Sequence, residues 1–376
     1  STRADWGLLS PIAHALRTHR SVEVSVIATN MHLDPLRGHT VDEIIADGFT
    51  PEACVEMTPS DDTPEAAAEA MGRCLSGMAA ALSKISPDEI IILGDRFEML
   101  AVASAATLLR IPIVHIAGGS ISEGAVDDNI RHAITKLSSL HLTETERYRQ
   151  RVISMGEDPQ MVVNTGAIGV YNIMNLELMN REELEESVGF VLDRDTLIVT
   201  MHPATTDDTT PTEISVRQLF DALDRFPELR LLITYPNNDA NGSVIISMID
   251  DYASRHADRV HVIPSLGRLR YLSALQFVGA VVGNSSSGIV EVPSAGIPTV
   301  NIRPRQNGRM AADSVITCDG DVDSIAEAIT TALSDDFRAK ARNTPNPYFK
   351  SDTLQLMTDA ILGTPVERLK HKKFHD

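Results

Sequence analysis

Short unbroken runs of apolar residues recur along the chain, and each run leads to a glycine or a polar residue. The run at 90–93 stops at Gly94, and the run at 111–116 leads to a pair of glycines. Such runs are typical of strands buried on both faces of a parallel sheet. Stretches with helical spacing lie between them, so the pattern predicts alternating strands and helices in an α/β chain.

The same rhythm continues through the chain in two successive halves. Further strands are predicted at 22–29, 140–143 and 161–164 in the first half, and at 196–200, 229–234, 260–263, 280–282 and 299–302 in the second. Predicted helices separate them, the last at about 353–362. Each half has enough strand–helix units for its own sheet. The pattern therefore predicts two doubly wound Rossmann-like domains facing a cleft, the architecture of the glycosyltransferase-B type.

Composition narrows the classes of function. The 376 residues include 43% hydrophobic and 23% charged residues, which is ordinary for a globular protein, and the chain is too long for one core. No apolar run approaches the roughly 20 residues of a membrane helix. A net charge of -19 argues against nucleic-acid binding, and three widely spaced cysteines indicate a reducing, cytoplasmic location. We therefore expect no metal, no nucleic acid and no membrane contact.

Polar side chains follow two strands of the first half where each strand ends. Asp95 and Arg96 come directly after the strand at 90–93, and Asp127 starts the helix after the next strand. Because the carboxyl ends of parallel strands meet at one edge of a sheet, these groups are predicted to share a rim where ligands bind. Asp95 is either catalytic or a cap for the next helix. For Asp127 the residues alone favour a structural role, since it stabilises a first helical turn and can pair with Arg131.

A loop of glycine and serine residues at 283–288, GNSSSG, lies between a strand and a helix in the second half. Glycines let a backbone approach a ligand and a helix amino terminus favours an anion, so this loop is a candidate phosphate site. A serine that caps an ordinary helix is the alternative. Arg305 and Arg309 follow a later strand, and Arg3 lies in the other half; guanidinium groups bind phosphate through paired donors. A solvated basic loop is the alternative for these arginines.

Several motifs are similar to those of one enzyme family. They are GDRFEML at 94–100, HIAGG at 115–119, EGAVDDNIRHAITK at 123–136, SLGRLRYLSAL at 265–275, GNSSSGIVEVPSAGIPTVN at 283–301 and RQNGRMAADSV at 305–315. In this order they resemble the hydrolysing UDP-N-acetylglucosamine 2-epimerases of sialic and legionaminic acid biosynthesis, over nearly the whole chain. The resemblance implies a UDP-sugar substrate, no cofactor, and a homodimer or homotetramer.

Domain boundaries follow from the pattern together with the resemblance. An amino-terminal domain at 1–168 is expected to carry the sugar side and the catalytic acids, and a carboxy-terminal domain at 169–350 to bind UDP. A terminal helix within 351–376 is expected to cross back to the first domain. In the family, the turn that STRADWG at 1–7 resembles follows a central strand, so that strand is expected to precede Ser1.

The resemblance also assigns roles to individual residues. Proton transfer is expected from Asp95, Asp127, Glu123 and His202, the last in an MHPAT segment like the family's HPVT. Substrate binding is expected from Arg3, His32, Arg96, Arg131, Ser285, Ser286, Ser287, Gly288, Glu291 and Arg305. Ser285 and Ser286 would hold the diphosphate, and Glu291 the ribose hydroxyls. Relatives often carry acidic groups where this chain has Ala117 and Ser120, and Glu123 is a candidate to compensate.

The implied reaction converts UDP-N-acetylglucosamine, or a related UDP-2-acetamido sugar, and water to N-acetylmannosamine, or its analogue, and UDP. Elimination of UDP would give a glycal, to which water adds. One alternative is UDP-2,4-diacetamido-2,4,6-trideoxyglucose as the substrate, as in legionaminic acid synthesis. A catalytically weak sugar-nucleotide-binding protein, a glycosyltransferase and a non-hydrolysing epimerase also remain open. Of these, the hydrolysing enzymes alone release UDP from the UDP-sugar without an acceptor.

Overall fold

The computed structural model describes residues 3–34, 39–206, 210–237 and 241–376, with side chains from residue 5 onward. The chain divides into two compact units. Unit 1 comprises Ser1–Ser120, Asp127–Tyr171 and Lys350–Asp376, and unit 2 comprises Ile121–Val126 and Asn172–Phe349. The chain therefore passes between the units at 120/121, 126/127, 171/172 and 349/350.

Unit 1 is built on parallel strands with helices between them. Its strands are β1 (Ile27–Thr29), β2 (Ala53–Val55), β3 (Ile90–Leu93), β4 (Ile113–Ile116), β5 (Leu140–Thr143) and β6 (Val162–Asn164). Its helices are α1 (Arg3–Arg17), α2 (Val41–Ala46), α3 (Pro64–Ile85), α4 (Phe97–Leu108), α5 (Asp127–Leu137), α6 (Glu146–Ser154) and α7 (Ile168–Asn175), which runs into unit 2. β3, β4, β5 and β6 form one sheet in chain order, and β1 pairs with β2.

A cavity of about 960 Å³ lies between the two sheets of unit 1. Val24 and Ile27 line it on the β1 side, and Ile90 and Ile92 line it on the β3 side. Within the described residues no strand pairs with the facing edges of β1 and β3, so the parallel sheet is in two pieces. The sequence predicts β1 from residue 22, but the strand begins only at Ile27, and residues 22–26 also line this cavity.

Local signals set the ends of the longest helix, α3. Thr63 accepts a hydrogen bond from the Ala66 N–H, and Pro64 occupies the first turn. Ser86 ends the helix in the left-handed region. An N-cap hydroxyl, a proline at the start and a left-handed residue at the end are ordinary helix boundaries, so α3 is locally encoded.

Unit 2 contains a parallel sheet of six strands. They are β7 (Thr196–Thr200), β8 (Arg230–Thr234), β9 (Val260–Ile263), β10 (Ala280–Gly283), β11 (Thr299–Ile302) and β12 (Val315–Cys318). Its helices are α8 (Arg181–Val188), α9 (Thr212–Leu223), α10 (Gly242–Arg255), α11 (Gly267–Ala274), α12 (Ser287–Val290), α13 (Val292–Ala295), α14 (Val322–Leu333) and α15 (Asp335–Asn343). The strand order is β12-β11-β10-β7-β8-β9. The direction of winding reverses between β7 and β10, and open α/β sheets bind ligands at such a point.

Both faces of the unit 2 sheet are buried. Leu197 and Val199 of β7 pack in one apolar cluster with α9 and α14, while Ile198 between them packs in a second cluster with α8 and α11. Successive side chains of a strand point to opposite faces, so helices cover the sheet on both sides. This is the doubly wound arrangement that the apolar runs predict.

The predicted α/β class with two Rossmann-like domains is confirmed by this architecture. Two further helices, α16 (Thr353–Gly363) and α17 (Val366–Leu369), follow unit 2 and belong to unit 1. One segment differs from the prediction: Ile121–Val126 falls within the predicted first domain at 1–168, but it groups with unit 2. Among the described residues, we find no helix with the length and apolar character needed to cross a membrane.

Candidate functional site

The carboxyl ends of β3 and β4 lie side by side at one edge of the unit 1 sheet. The two strands pair in parallel, with Leu93 opposite Ile116. Each is followed by a residue in the left-handed region, Gly94 at φ 78° and Ala117 at φ 68°. Asp95 and the loop after Ala117 therefore emerge at the same rim. Alanine rarely adopts positive φ, so the backbone at Ala117 is strained.

Arg131 of α5 is buried, with 1% of its side chain exposed, and its guanidinium contacts three acceptors. Nε donates to Asp95 Oδ2 at 2.8 Å, and Nη2 contacts the same oxygen. Nη1 donates to Asp128 Oδ1 at 2.9 Å and to the Ser120 carbonyl oxygen at 3.1 Å. A permanent cation in this position favours the ionised carboxylate and fixes its orientation. These contacts make Arg131 the buried partner of Asp95, a role that the local sequence spacing does not predict.

Asp127 is the first residue of α5. Arg131 follows it by four residues, so both side chains lie on the same face of the helix. Since Arg131 reaches Asp95 from that face, the start of α5 and the end of β3 belong to one rim. The two carboxylates predicted to share the rim of the first sheet are thus placed on neighbouring elements of unit 1.

Two buried histidines of unit 1 have pKa values well below the usual range. His115 of β4 donates from Nε2 to the Gly94 carbonyl oxygen at 2.8 Å, and its Nδ1 lies 3.2 Å from Thr135 Oγ1. His32 is hydrogen-bonded through Nδ1 to Thr40 Oγ1 at 2.8 Å. Burial lowers the pKa of each histidine to about 4. His32, which is predicted to bind substrate, can therefore offer a hydrogen bond at neutral pH but no positive charge.

A fully buried carboxylate orients Arg96. Oε1 of Glu98 accepts from Arg96 Nε at 3.3 Å and from Asn30 Nδ2 at 2.8 Å. Glu98 thereby links Asn30, the residue after β1, to Arg96, the residue before α4. The sequence singles out Arg96 but misses Glu98 and Asn30; the available signal is an acidic residue in the otherwise apolar helix α4. The side chain of Arg3 lies outside the described part of the chain.

In unit 2, Asn284 joins the ends of the neighbouring strands β7 and β10. Its Oδ1 accepts from the His202 N–H at 2.7 Å, and its Nδ2 donates to the His202 carbonyl oxygen at 2.8 Å. The His202 ring is 7% exposed and accepts at Nδ1 from the Asn237 N–H at 3.3 Å. The proton of the neutral ring therefore lies on Nε2, which makes His202 a hydrogen-bond donor at the point where the winding reverses. Sequence reasoning assigned no role to Asn284, although it directly follows an apolar strand.

The glycines of the loop at 283–288 allow close packing. A Cβ at Gly283, whose φ is 137°, would lie 1.9 Å from the Thr200 carbonyl oxygen. A Cβ at Gly288 would lie 2.8 Å from Thr299 Cγ2. Both glycines therefore let the loop pack against adjacent strands, and the approach of a ligand to this loop stays a prediction.

The helix after this loop, α12, has only four residues, so its dipole gives weak support to an anion. Ser286 occupies its N-cap position, yet among the described residues its side chain makes no capping hydrogen bond. The capping alternative is thus wrong for Ser286. Ser285, Ser286 and Ser287 are all partly exposed, so their hydroxyls can reach a ligand.

Ser287 belongs to a small polar cluster with Tyr271 and Glu291. Its hydroxyl donates to the Tyr271 oxygen at 2.7 Å. Desolvation raises the pKa of Glu291, while a hydrogen bond from Ser287 and the charge of Arg309 act in the opposite direction. Burial also raises the pKa of Tyr271. The cluster offers oxygen acceptors next to the serine loop, as the predicted ribose-binding role of Glu291 requires. The sequence analysis assigned no role to Tyr271.

Arg305 supplies a positive charge beside the serine loop. It follows β11, and its side chain is largely buried, with the residue 8% exposed. Its Nη1 donates to the Asn284 carbonyl oxygen at 3.4 Å, and Gln306 Nε2 donates to the same oxygen at 2.9 Å. A held guanidinium next to partly exposed hydroxyls is the combination that binds a phosphate group.

Glu123 belongs with its segment to unit 2, whereas Asp95 and Asp127 belong to unit 1. Its N–H donates to the Asn307 carbonyl oxygen at 3.1 Å. Unit 1 thus carries Asp95, Asp127 and Arg131, and unit 2 carries His202, the serine loop, Glu291, Arg305 and Glu123. No group of three His, Cys, Asp or Glu side chains that could hold a metal ion occurs in the part of the chain that the structure describes.

A family model and the sequence relatives of the chain agree on one enzyme family. A family model described as UDP-N-acetylglucosamine 2-epimerase matches residues 14–362. The chain is 32% identical over 385 residues to a GDP/UDP-N,N'-diacetylbacillosamine 2-epimerase (hydrolyzing) of Campylobacter jejuni, covering 100% of this chain and 97% of that protein. It is 35% identical over 333 residues to the UDP-N,N'-diacetylbacillosamine 2-epimerase (hydrolyzing) of Legionella pneumophila, covering 89% and 87%.

The fold is also similar to that of solved structures. The UDP-GlcNAc 2-epimerase of Neisseria meningitidis, bound to UDP-GlcNAc, superposes with a TM-score of 0.80. The match covers 96% of this chain and 98% of that one at 18% identity. At that level of identity the likeness concerns the fold, and the sequence relatives carry the assignment to a family.

Proposed function

The chain belongs to the UDP-N-acetylglucosamine 2-epimerase family and is a hydrolysing enzyme, and we propose that it converts a UDP-2-acetamido sugar and water to the free 2-epimer and UDP. The observation that carries the proposal is the rim of unit 1, where Asp95 is held by the buried Arg131 beside the start of the helix that carries Asp127. Carboxylates in a fixed and polar setting suit proton transfer at the sugar.

The chemistry sets two tasks. The hydrogen on carbon 2 is not flanked by a ketone, so its removal must be coupled to the loss of the diphosphate from carbon 1. A base takes the proton, the bond from carbon 1 to oxygen breaks, and a glycal and UDP result. Water then adds its oxygen to carbon 1 and gives up a proton to a base, while an acid delivers a proton to the opposite face of carbon 2. The enzyme must therefore take one proton from carbon 2 and one from water, deliver one to carbon 2, and stabilise the charge on the leaving diphosphate.

We assign the proton transfers to unit 1 and the diphosphate to unit 2. Asp95 and Asp127 are the acid/base pair, with Glu123 as the third candidate where Ala117 and Ser120 lack acidic groups. His32, Arg96 and Arg3 are assigned to the sugar side. Ser285, Ser286 and Arg305 are assigned to the diphosphate, Glu291 to the ribose, and His202 donates from Nε2. By the same family resemblance we propose a cytoplasmic homodimer or homotetramer.

Two sugars are candidates. UDP-N-acetylglucosamine is the first, because it is the sugar bound in the Neisseria structure. UDP-N,N'-diacetylbacillosamine is the second, and a specific observation favours it: two relatives that match at 32% and 35% identity carry that sugar in their names. The ratio of kcat/KM for the two UDP-sugars, measured on one preparation, decides between them.

The reaction is tested by incubating the protein with either UDP-sugar alone. We expect one equivalent of UDP and of the free 2-epimer, with one deuterium at carbon 2 when turnover takes place in deuterated water. Labelled water should place its oxygen at carbon 1 if the product is trapped early. Retention of the original hydrogen at carbon 2 would contradict elimination and addition. Absence of UDP with both sugars would instead favour a transferase, a non-hydrolysing epimerase or a binding protein.

Arg305→Ala should raise the inhibition constant of UDP by about ten- to a hundredfold. A hydrogen bond to a charged group contributes about 1.5–3 kcal/mol, which corresponds to that range of affinity. The measurement is competitive inhibition of turnover by added UDP, or direct calorimetry.

Arg303→Ala is the matched control in the same loop. The Arg303 side chain is 53% exposed and lies 3.5 Å from Asp319 on the surface. Exposed ion pairs contribute little free energy, so removal of Arg303 should leave UDP affinity within about twofold. Equal losses in the two variants would mean that Arg305 acts only through the general charge of the loop.

A further inference from the structure

The segment Ile121–Val126, which we call the strap, leaves unit 1 after Ser120 and packs within unit 2. Three hydrogen bonds hold it there. The Glu123 N–H donates to the Asn307 carbonyl oxygen at 3.1 Å, and Thr206 Oγ1 donates to the Glu123 carbonyl oxygen at 2.8 Å. The Val126 N–H donates to Thr205 Oγ1 at 3.0 Å. Both backbone groups of Glu123 are therefore fixed to unit 2.

Gly124 lets the strap lie directly on the backbone that carries Arg305. A Cβ at Gly124 would lie 2.6 Å from Arg305 Cα, 2.7 Å from Arg305 N and 2.8 Å from the carbonyl carbon of Pro304. All three are backbone atoms, which cannot rotate aside as the end of a side chain can. Gly308 makes the reciprocal contact, since a Cβ there would lie 2.5 Å from Ile121 Cγ2. The strap that carries Glu123 and the Arg305 loop are thus packed directly against each other.

The two ends of the strap join the acid-bearing rim of unit 1 through the chain itself. Before it, the Ser120 carbonyl oxygen accepts from Arg131, which holds Asp95. After it, Asp127 begins α5.

We propose that Gly124 and Thr206 are positioning residues, which seat the strap on the Arg305 loop and thereby place the Glu123 carboxylate for proton transfer. The inference rests on the proposed function, and it adds that the placement of Glu123 follows the loop assigned to the diphosphate. Neither residue touches the substrate in this scheme; each acts through Glu123.

The test uses Gly124→Ala and Thr206→Val in the full chain. Gly124→Ala should lower kcat by about ten- to a hundredfold, since small misplacements of a reacting group have effects of that order. Thr206→Val, which removes one neutral hydrogen bond, should lower it by about two- to tenfold. In Thr206→Val, whose hydroxyl contacts the strap and not the Arg305 loop, KM and the UDP inhibition constant should stay within about threefold. In a Glu123→Gln background both substitutions should have little further effect, because they act through the missing carboxylate.

Matched controls separate positioning from loss of structure. Gly72→Ala lies in α3, where a Cβ would meet no atom within 4 Å, and Thr330→Val removes a hydroxyl that bonds to the Ala326 carbonyl within α14. Both should keep wild-type kcat. Wild-type kcat in Gly124→Ala and Thr206→Val, or losses that multiply with that of Glu123→Gln, would overturn the proposal.

Amide hydrogen exchange tests the strap independently of turnover. The N–H groups of Glu123 and Val126 should exchange slowly in the wild type, and faster in Gly124→Ala but not in Gly72→Ala. If no UDP-sugar is turned over, the proposed function is wrong, but the exchange measurement still tests whether Gly124 seats the strap on the Arg305 loop. If exchange at Glu123 is unaffected by Gly124→Ala, the proposed role of Gly124 is wrong, but turnover of the UDP-sugar still tests the proposed function.

Discussion

Asp127→Asn will lower the rate of UDP release by about 10²–10⁴-fold, the range typical of a general acid or base, with little change in UDP affinity. Asparagine keeps the size of the side chain and one acceptor oxygen, but it loses the charge and the proton-transfer chemistry. As the first residue of α5, Asp127 also stabilises the helix, and that electrostatic contribution is only about 0.3–1 kcal/mol. We therefore expect a large fall in turnover beside a small change in melting temperature.

Asp335→Asn provides the control for the helical part of this effect. Asp335 is likewise the first residue of its helix, α15, and belongs to unit 2. It should reproduce the small loss of stability and leave turnover unchanged. Near-normal turnover in Asp127→Asn would reduce Asp127 to a structural residue and make Glu123 the next candidate for the second acid/base group.

Asp95→Asn should lower turnover by a similar factor but should also destabilise the protein. Its carboxylate is the acceptor for two donors of Arg131, whose side chain is 1% exposed. Losing a charged acceptor for a buried guanidinium costs about 1.5–3 kcal/mol, although Asp128 and the Ser120 carbonyl remain. The two aspartates are thus distinguishable: turnover falls in both variants, whereas the free energy of unfolding falls mainly in Asp95→Asn.

Several strands could be predicted closely from sequence, the edge strand β9 among them. Apolar runs alone place β5, β7, β9 and β11 at the observed residues. The misses are β2 and β12, short strands that each include an exposed residue. The periodic signal depends on burial, so it weakens where a strand has solvent on one side.

The partners of the site residues could not be read from local spacing. Arg131 stands four residues after Asp127, which suggests an ion pair within the helix, yet it also reaches Asp95, 36 residues away in sequence. That contact depends on the register of β3 against β4, which no short motif specifies. Glu123 likewise precedes Asp127 by four residues, yet its backbone is hydrogen-bonded to Thr206 and Asn307 of unit 2, and its part in proton transfer stays a prediction.

The second large effect that we expect is a loss of stability, and it comes from a buried ionic cluster in unit 1. Glu157, whose side chain is 3% exposed, lies 2.5 Å from Lys136 Nζ, 2.7 Å from Lys372 Nζ and 3.0 Å from His141 Nε2. Lys372 comes from the carboxy-terminal residues after α17 and also donates to the Lys136 carbonyl oxygen at 2.8 Å. The cluster therefore fastens the end of the chain to α5 and β5.

Glu157→Gln is expected to cost about 3 kcal/mol at neutral pH. Desolvation raises the pKa of Glu157, but hydrogen bonds from His141, Lys136 and Lys372 outweigh it and lower the pKa from 4.5 to about 2. A folded-state pKa of about 2 against an unfolded value near 4.5 corresponds to about 3 kcal/mol of stability. That stability is fully present above the unfolded pKa and is lost as the pH falls from about 4.5 towards 2. The difference between wild type and Glu157→Gln should accordingly shrink to less than half between pH 7 and pH 3.

The measurement is urea unfolding followed by the fluorescence of Trp6, the one tryptophan of the chain, which lies buried in unit 1. Glu367→Gln is the control, because Glu367 is an exposed acid of the same terminal region that pairs with Lys370. Removing its charge should change the free energy of unfolding by no more than about 0.5 kcal/mol. If Glu157→Gln unfolds at the wild-type urea concentration at pH 7, the cluster does not hold the end of the chain. If the difference persists undiminished at pH 3, the lost stability comes from packing and not from the charge on Glu157.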